Sequence, residues 1–328
     1  MRSCRMGLCV SLFGLCVALS ACSDGRERHA NMLAVTNELS CDAIANPTKS
    51  ARWADSALER RSVAKSQFLR LAESEHVLRH FKDIGYRFEE MRSEAQPVPR
   101  VYLAKMPTDL PELDETNIRK QLFLAALLPA VLRVNEEIRE TRRRLTAVSA
   151  CQQSGHALSE PVQQWVGALA AYYRTRPEAA ILLVKVAEIP TSMALAQAAV
   201  ESGWGTSAPA QTGNSLFGQY MVEEEGSGRN KKSKLRLASF DTLLAAVRSY
   251  ADNLNIHPAY SEFRERRTQM LHQGLSLDGM KLVETLGAYS KRRANYIRDL
   301  QVMIRKNKLD AFDRVDLASR QELALAGN

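Results

Sequence analysis

Glu201 stands near the end of an apolar, alanine-rich run, Ala196-Gln197-Ala198-Ala199-Val200-Glu201-Ser202-Gly203-Trp204-Gly205, and no other acidic residue lies between Ile189 and Tyr220. Thr191 or Ser192 offers an N-cap, and Met193 to Ser202 holds good helix formers without a breaker. Gly203 and Gly205 read as a C-terminal stop. Glu201 therefore falls in the last helical turn, where the negative end of the helix dipole disfavours a carboxylate. Leu195, Ala198, Ala199 and Trp204 supply an apolar surround, which also favours the neutral acid. A carboxyl group raised in this way suits a general acid that protonates a leaving glycosidic oxygen. The competing reading is a surface glutamate on an ordinary amphipathic helix.

The text around Glu201 carries more. The segment Ile189-Pro190-Thr191-Ser192-Met193-Ala194-Leu195 through Glu201-Ser202-Gly203-Trp204-Gly205-Thr206-Ser207 is followed by Gly213-Asn214-Ser215-Leu216-Phe217-Gly218-Gln219-Tyr220. Then come Val247-Arg248-Ser249-Tyr250, Asn255-Ile256-His257-Pro258-Ala259-Tyr260, and Ala288-Tyr289-Ser290 with Tyr296-Ile297. In this order and spacing the motifs resemble those of the glucosaminidase-like domains of glycoside hydrolase family 73, in their Bax-type subgroup of bacterial envelope proteins. The resemblance runs from about Val98 to Leu309, with an enzyme core from about Pro177 to Lys308. It implies a lysozyme-like fold, cleavage of peptidoglycan glycan strands, and Glu201 as catalytic acid. It also implies that Trp204, Asn214, Phe217 and Tyr260 shape or line the substrate cleft. One departure is Ser215, which stands where the family usually carries a second asparagine before Leu-Phe-Gly.

The hydrophobic period changes after Phe217. Phe217 to Val222 and Leu235 to Phe240 read as a β-hairpin, with the turn region at Gly226-Ser227-Gly228-Arg229-Asn230. A small β lobe among helices matches the fold that the resemblance implies, with the cleft between Glu201 and the hairpin. Glycosidases commonly pair the acid with a second carboxylate. Glu223, Glu224 and Glu225 cluster at the hairpin tip, and Glu224 is the candidate second acid. A solvated acidic turn balanced by Lys231 and Lys232 is the other reading. Substrate assistance or a single-acid mechanism needs no second carboxylate.

The front of the chain reads as an address. Arg2 and Arg5 precede an apolar stretch from Gly7 to Leu19, too short to span a bilayer. Leu19-Ser20-Ala21-Cys22 resembles a lipobox, so residues 1–21 read as a lipoprotein signal peptide and Cys22 as the lipidated residue. More than one acyl chain anchors firmly, and Ser23 points to the outer membrane. The expected location is the envelope, on the periplasmic side. Of six cysteines only Cys41 and Cys151 remain for folding, and they either bond in an oxidising compartment or stay as free thiols. The net charge of +8 suits anionic lipid and the carboxylates of peptidoglycan peptides. No zinc-finger spacing or aromatic-interleaved basic stretch points to nucleic acid. His76 and His80 are four apart but lack a third ligand, so neither a metal nor a cofactor is expected.

The remaining elements must hold the acid in place. Ala54 to His80 carries apolar residues at helical spacing, including Leu58, Val63, Phe68, Leu71 and Leu78. Pro97 to Pro111 reads as extended. Asn117 can cap a long helix from Ile118, kinked at Pro129, whose Arg142-Arg143-Arg144 run reads as a solvated face. Ser159 can cap a helix led by Pro161, and Asp241 another. The expected class is mainly α (α+β): a lysozyme-like helical domain with a small β-hairpin lobe, preceded by a helical N-terminal region. The expected division is a tether and helical region at 22–97, a helical scaffold at 98–176, the catalytic domain at 177–308 and a tail at 309–328. The leading function is a peptidoglycan β-N-acetylglucosaminidase. A lytic transglycosylase or a non-catalytic peptidoglycan-binding lipoprotein are the alternatives.

Overall fold

A computed structural model describes residues 39–45, 68–94, 96–225 and 232–319. The expected signal peptide at 1–21, Cys22, Leu58 and Val63 of the expected N-terminal helix, and the hairpin turn lie outside the described residues. The elements are α1 (Cys41–Ala45), β1 (Phe68–Leu69), α2 (Ser74–Asp83), α3 (Phe88–Glu94), β2 (Tyr102–Leu103) and α4 (Thr116–Gln153). They continue through α5 (Glu160–Tyr172), α6 (Ala179–Lys185), α7 (Thr191–Ser202) and α8 (Ala208–Gly213). The hairpin strands β3 (Tyr220–Glu225) and β4 (Lys232–Leu237) come next. They precede α9 (Leu243–Ile256), α10 (Ser261–His272), α11 (Gly279–Leu282) and α12 (Ala294–Lys306). The protein is mainly helical, as expected, and its β3–β4 pair is antiparallel with Val222 opposite Leu235. The strands sit closer to the turn than the hydrophobic pattern placed them.

α4 is the spine. Its 38 residues span about 57 Å at 1.5 Å per residue. The continuous apolar run from Leu122 to Leu132 is buried on all sides, because α4 packs against α6, α7 and α9. Pro129 does not break it. Proline lacks the N–H that would bond the carbonyl of Ala125, and the Tyr86 hydroxyl donates to that carbonyl at 3.1 Å instead. A buried backbone acceptor thus keeps a partner.

Several local expectations are corrected. Phe68 is in a strand paired in parallel with β2, and helix α2 begins only at Ser74. Leu78 is exposed, while Val77 and Phe81 carry the buried face of α2. Asn117 lies inside α4 rather than at its cap. The Ser159 hydroxyl donates to Ile44 O at 2.8 Å and caps nothing. Thr242, not Asp241, caps α9 by accepting from Ala245 N. Arg142 is not a solvated residue: its guanidinium donates to Leu183 O and to Val186 O, the latter at 2.8 Å. Arg143 and Arg144 do pair along the helix surface, with Glu140.

Arg142 belongs to a set that fixes the approach to α7. Fully buried Arg267 donates to the carbonyls of Val184, Lys185, Ala187 and Glu188, and burial lowers its pKa to about 9. Asn135 exchanges two hydrogen bonds with the backbone of Ile189, at 2.8 and 3.0 Å. Three side chains from two helices therefore set where α7 starts.

Cys41 and Cys151 form a disulfide across 110 residues, which ties α1 to the C-terminal end of α4. The sequence left that pairing open.

Candidate active site

α7 is almost wholly internal: every residue from Thr191 to Ala199 is buried, against α4, α11, α12 and the 3-10 turn Leu309–Arg314. Its N-terminus is held differently from expectation. Thr191 and Ser192 are already helical, and neither caps its own helix. Asp313 does it from outside, accepting from Ser192 N at 2.8 Å and from Ser192 Oγ at 2.7 Å. The same carboxylate accepts from Gly279 N at 3.3 Å. It therefore joins the N-terminal ends of α7 and α11, where partial positive charge favours an anion. A Cβ on Gly279 would lie 2.0 Å from Ser192 Oγ, so only glycine permits this approach.

Burial nevertheless pushes Asp313 up to about 6. The folded state therefore binds this proton more tightly than the unfolded chain does. Its contribution makes stability fall as pH rises from about 4 through about 6. Asp313→Ala is expected to remove that slope. At pH 7 it should cost about 2–3 kcal/mol, because three donors lose their acceptor. Chemical denaturation at pH 4, 5, 6 and 7 checks both.

The C-terminal end of α7 turns sharply. Gly203, Trp204 and Gly205 all adopt positive φ, at 58°, 62° and 79°. Ser202 Oγ donates to Ala198 O and accepts from Gly205 N at 2.8 Å, which closes the turn. Phe123 of α4 sits where a Gly205 side chain would be, 2.8 Å from its Cβ position. Glu201 is thus carried on a rigid end, half-buried.

A relay of side chains fixes its carboxylate. Tyr250 Oη donates to Gln197 Oε1 at 2.6 Å, and Gln197 Nε2 donates to Tyr296 Oη at 2.9 Å. The Tyr296 hydroxyl in turn neighbours the Glu201 side chain and lowers its pKa. Because Tyr296 accepts from Gln197, its own proton is available to the acid. Burial raises the Glu201 pKa, and the Tyr296 bond and the Arg292 charge oppose that rise without cancelling it. The expected direction thus holds, with burial as its leading cause. No carboxylate enters the electrostatics of Glu201 among the described residues.

Tyr289 stacks parallel to Tyr296 with centroids 5.7 Å apart, and its hydroxyl donates to Phe217 O at 2.7 Å. Tyr260 lies 5.9 Å from Tyr289, hydrogen-bonds Asn253, and is close enough for Glu201 to raise its pKa, though burial is the larger cause. Four tyrosines from three segments thus back one acid.

Other sequence-selected residues fall elsewhere. Asn214 is fully buried, at φ 50°, and donates to Phe240 O and Ala104 O. It is a structural pin and not a sugar contact. Phe217 is also buried and stacks on Tyr250 at 4.1 Å, so it supports the cluster from behind. Trp204 is half-buried against Phe123 of α4 with Lys120 over its ring. Its partners belong to α4 and not to the tyrosine cluster. Glu224 is on β3 opposite Ser233, and its side chain lies outside the described residues. His76 pairs with Glu73 at 3.6 Å on an exposed helix face.

Gln197 and Gly218 carried no prediction. Gln197 is four residues before Glu201 on one helix face, a spacing that places both toward the same partners. Gly218, at φ 60°, lies against the acid: a Cβ there would meet Glu201 Oε2 at 2.9 Å. Gly218→Ala is expected to lower kcat by about 10- to 100-fold through displacement of the carboxylate. Left-handed strain should add a stability loss of about 1 kcal/mol. Steady-state kinetics beside thermal unfolding separates the two effects.

A lysozyme-like helical domain with a small hairpin and a raised, tyrosine-held carboxyl group at a helix end is built as a glycoside hydrolase. The family model described as mannosyl-glycoprotein endo-beta-N-acetylglucosaminidase matches residues 177–309. The chain is 30% identical over 230 residues to "Protein bax" of Escherichia coli strain K12, covering 69% of this chain and 80% of that protein. No solved structure matches. The chain belongs to the Bax-type glucosaminidase-like family.

Proposed function

We propose that the protein hydrolyses the β-1,4 glycosidic bonds of peptidoglycan glycan strands as a β-N-acetylglucosaminidase, with Glu201 as general acid. The observation that carries this reading is the neutral-favouring carboxyl group of Glu201, oriented by the Tyr296 hydroxyl and faced by Gly218. In the reaction Glu201 gives its proton to the leaving oxygen, and water completes the cleavage. Glu224 is the proposed partner acid, and assistance by the substrate's N-acetyl group is the alternative to it. Tyr260 lines the cleft in this reading.

The proposal extends to the envelope. The Ala21-Cys22 lipobox supports a lipid anchor, and the Cys41–Cys151 bond suits an oxidising compartment. Cys22→Ala is expected to move the protein from the membrane fraction to the soluble fraction, as read by fractionation and immunoblot.

Digestion of purified peptidoglycan by the full chain tests the activity. Mass spectrometry of the fragments should find reducing-end N-acetylglucosamine. Fragments ending in 1,6-anhydro-muramic acid would instead make it a lytic transglycosylase. Retention on the polymer with no fragments would leave a binding module.

A further inference from the structure

A cavity of about 700 Å³ opens beside the site, lined by Arg174, Lys185 and Arg264 among others. Its size is that of a small-ligand pocket. The three cations converge from the loop after α5, from α6 and from α10, yet none forms an ion pair among the described residues. Lys185 Nζ donates only to backbone, at Tyr173 O and Ile256 O, and Arg264 likewise donates to Leu254 O and His257 O. Arg174 and Arg264 stand close enough to Lys185 to depress its pKa, although burial does more. The acidic group on the same wall, Asp252, accepts from the Tyr172 hydroxyl. Three positive charges against one negative leave the pocket cationic, in a recess where a charge is screened less than on open surface.

The pocket is joined to the acid. Gln219 lines it and follows Gly218, where any side chain would run into the Glu201 carboxylate. Asn253 lines it as well and hydrogen-bonds Tyr260. Gln219 Nε2 donates to Ser249 O at 3.2 Å, which fixes this side chain in the wall. The wall therefore offers positive charge from three directions. A carboxylate complements it, and the closeness to Glu201 asks for one carried by the glycan substrate, whereas inorganic phosphate would match the charge alone.

We infer that this pocket is a binding site for a carboxylate-bearing peptide attached to the glycan substrate, held by Arg174, Lys185 and Arg264. The inference rests on the proposed glycosidase reading for the link between peptide and glycan. A ligand held here leaves the attached strand lying across Gly218 toward Glu201, so the peptide sets register along the strand.

The test compares strands with free stem-peptide carboxyls and the same strands with those carboxyls converted to amides. The native chain should show about a tenfold higher kcat/KM on the free-carboxyl strand, the scale of one charge-assisted contact. Arg174→Gln changes an exposed residue and should shrink that ratio to threefold or less, and Lys185→Gln should act the same way. A ratio near one in the native chain, or an unchanged ratio in both variants, overturns the inference. If the native chain cleaves neither strand, the glycosidase reading fails separately. Calorimetry with a free stem peptide and its amidated form then decides the pocket. Binding of the free-carboxyl peptide alone, weakened in Arg174→Gln, upholds it. Equal or absent binding of the two peptides, or tighter binding of inorganic phosphate, overturns it.

Discussion

Glu201→Gln should leave the protein folded and lower glycan cleavage by about 10³-fold, the usual scale for loss of a general acid. The substitution keeps the size of the side chain and keeps an acceptor for the Tyr296 hydroxyl, so the Tyr250–Gln197–Tyr296 relay has no reason to rearrange. It also removes a carboxylate that burial disfavours. The melting temperature should therefore stay level or rise slightly near neutral pH. The sign follows from linkage: a carboxyl raised in the fold makes ionisation destabilising, and glutamine cannot ionise. In the native chain the general acid must be protonated, so kcat/KM should fall as pH rises through the elevated Glu201 pKa. That alkaline limb should vanish from whatever residual activity Glu201→Gln retains. A variant that loses activity and melts lower would mean that Glu201 serves the fold. A variant with undiminished activity would remove it from the chemistry. Tyr296→Phe is a useful companion: with the bond that lowers the Glu201 pKa gone, the alkaline limb should move to higher pH.

The acid itself was legible because its place at the helix end is set locally. The alanine-rich run, the glycine stop and the apolar neighbours lie within one helix and its following turn, and they point to a raised pKa, while Tyr296 and Arg292, which oppose that rise, come from about 90 residues later. The mainly helical class was legible for a similar reason, since α9 and α12 each carry their own periodic signal and α4 is a long run of helix formers. What stayed hidden depends on partners distant in sequence. Ser192 looked like a cap because its type and place fit, but the acceptor that decides its role is Asp313, 121 residues later. Arg142 looked solvated inside a run of three arginines, and only the position of α6 reveals the carbonyls it serves. Pro129 looked like a kink, and Tyr86, from the loop between α2 and α3, supplies the donor that the proline withholds. Asn214 and Phe217 were assigned to the cleft from a motif, which records that residues matter without recording whether they face sugar or core. Both face the core. Gly218 was passed over because nothing in a sequence distinguishes a glycine at a turn from one pressed against a carboxylate oxygen.

Reducing the Cys41–Cys151 disulfide, or replacing both cysteines by serine, should cost about 4 kcal/mol of stability, as chain-entropy arguments give for a closed loop near 100 residues. The bond closes 110 residues, which include β1, α2, α3, β2 and nearly all of α4. Without it, among the described residues α1 is tied by the buried Ile44 side chain and by two bonds from Ser159, from its N–H at 3.4 Å and its hydroxyl at 2.8 Å, both to Ile44 O. A single apolar residue stabilises by about 1.5–3 kcal/mol, too little to order a short helix against its own chain entropy. The α1 segment should therefore detach first on heating, and protection of Ile44 and Ser159 from hydrogen exchange should drop before that of α7. The melting temperature should fall by on the order of 10 °C. Catalysis near 25 °C should persist, because α4 meets α6, α7 and α9 through its own buried side chains whether or not Cys151 is bonded. Calorimetry with and without a reductant, run beside an activity assay, separates the two quantities. A large drop in both would place the disulfide among the groups that position Glu201. No drop in either would mean that the closed loop is already ordered in the unfolded ensemble.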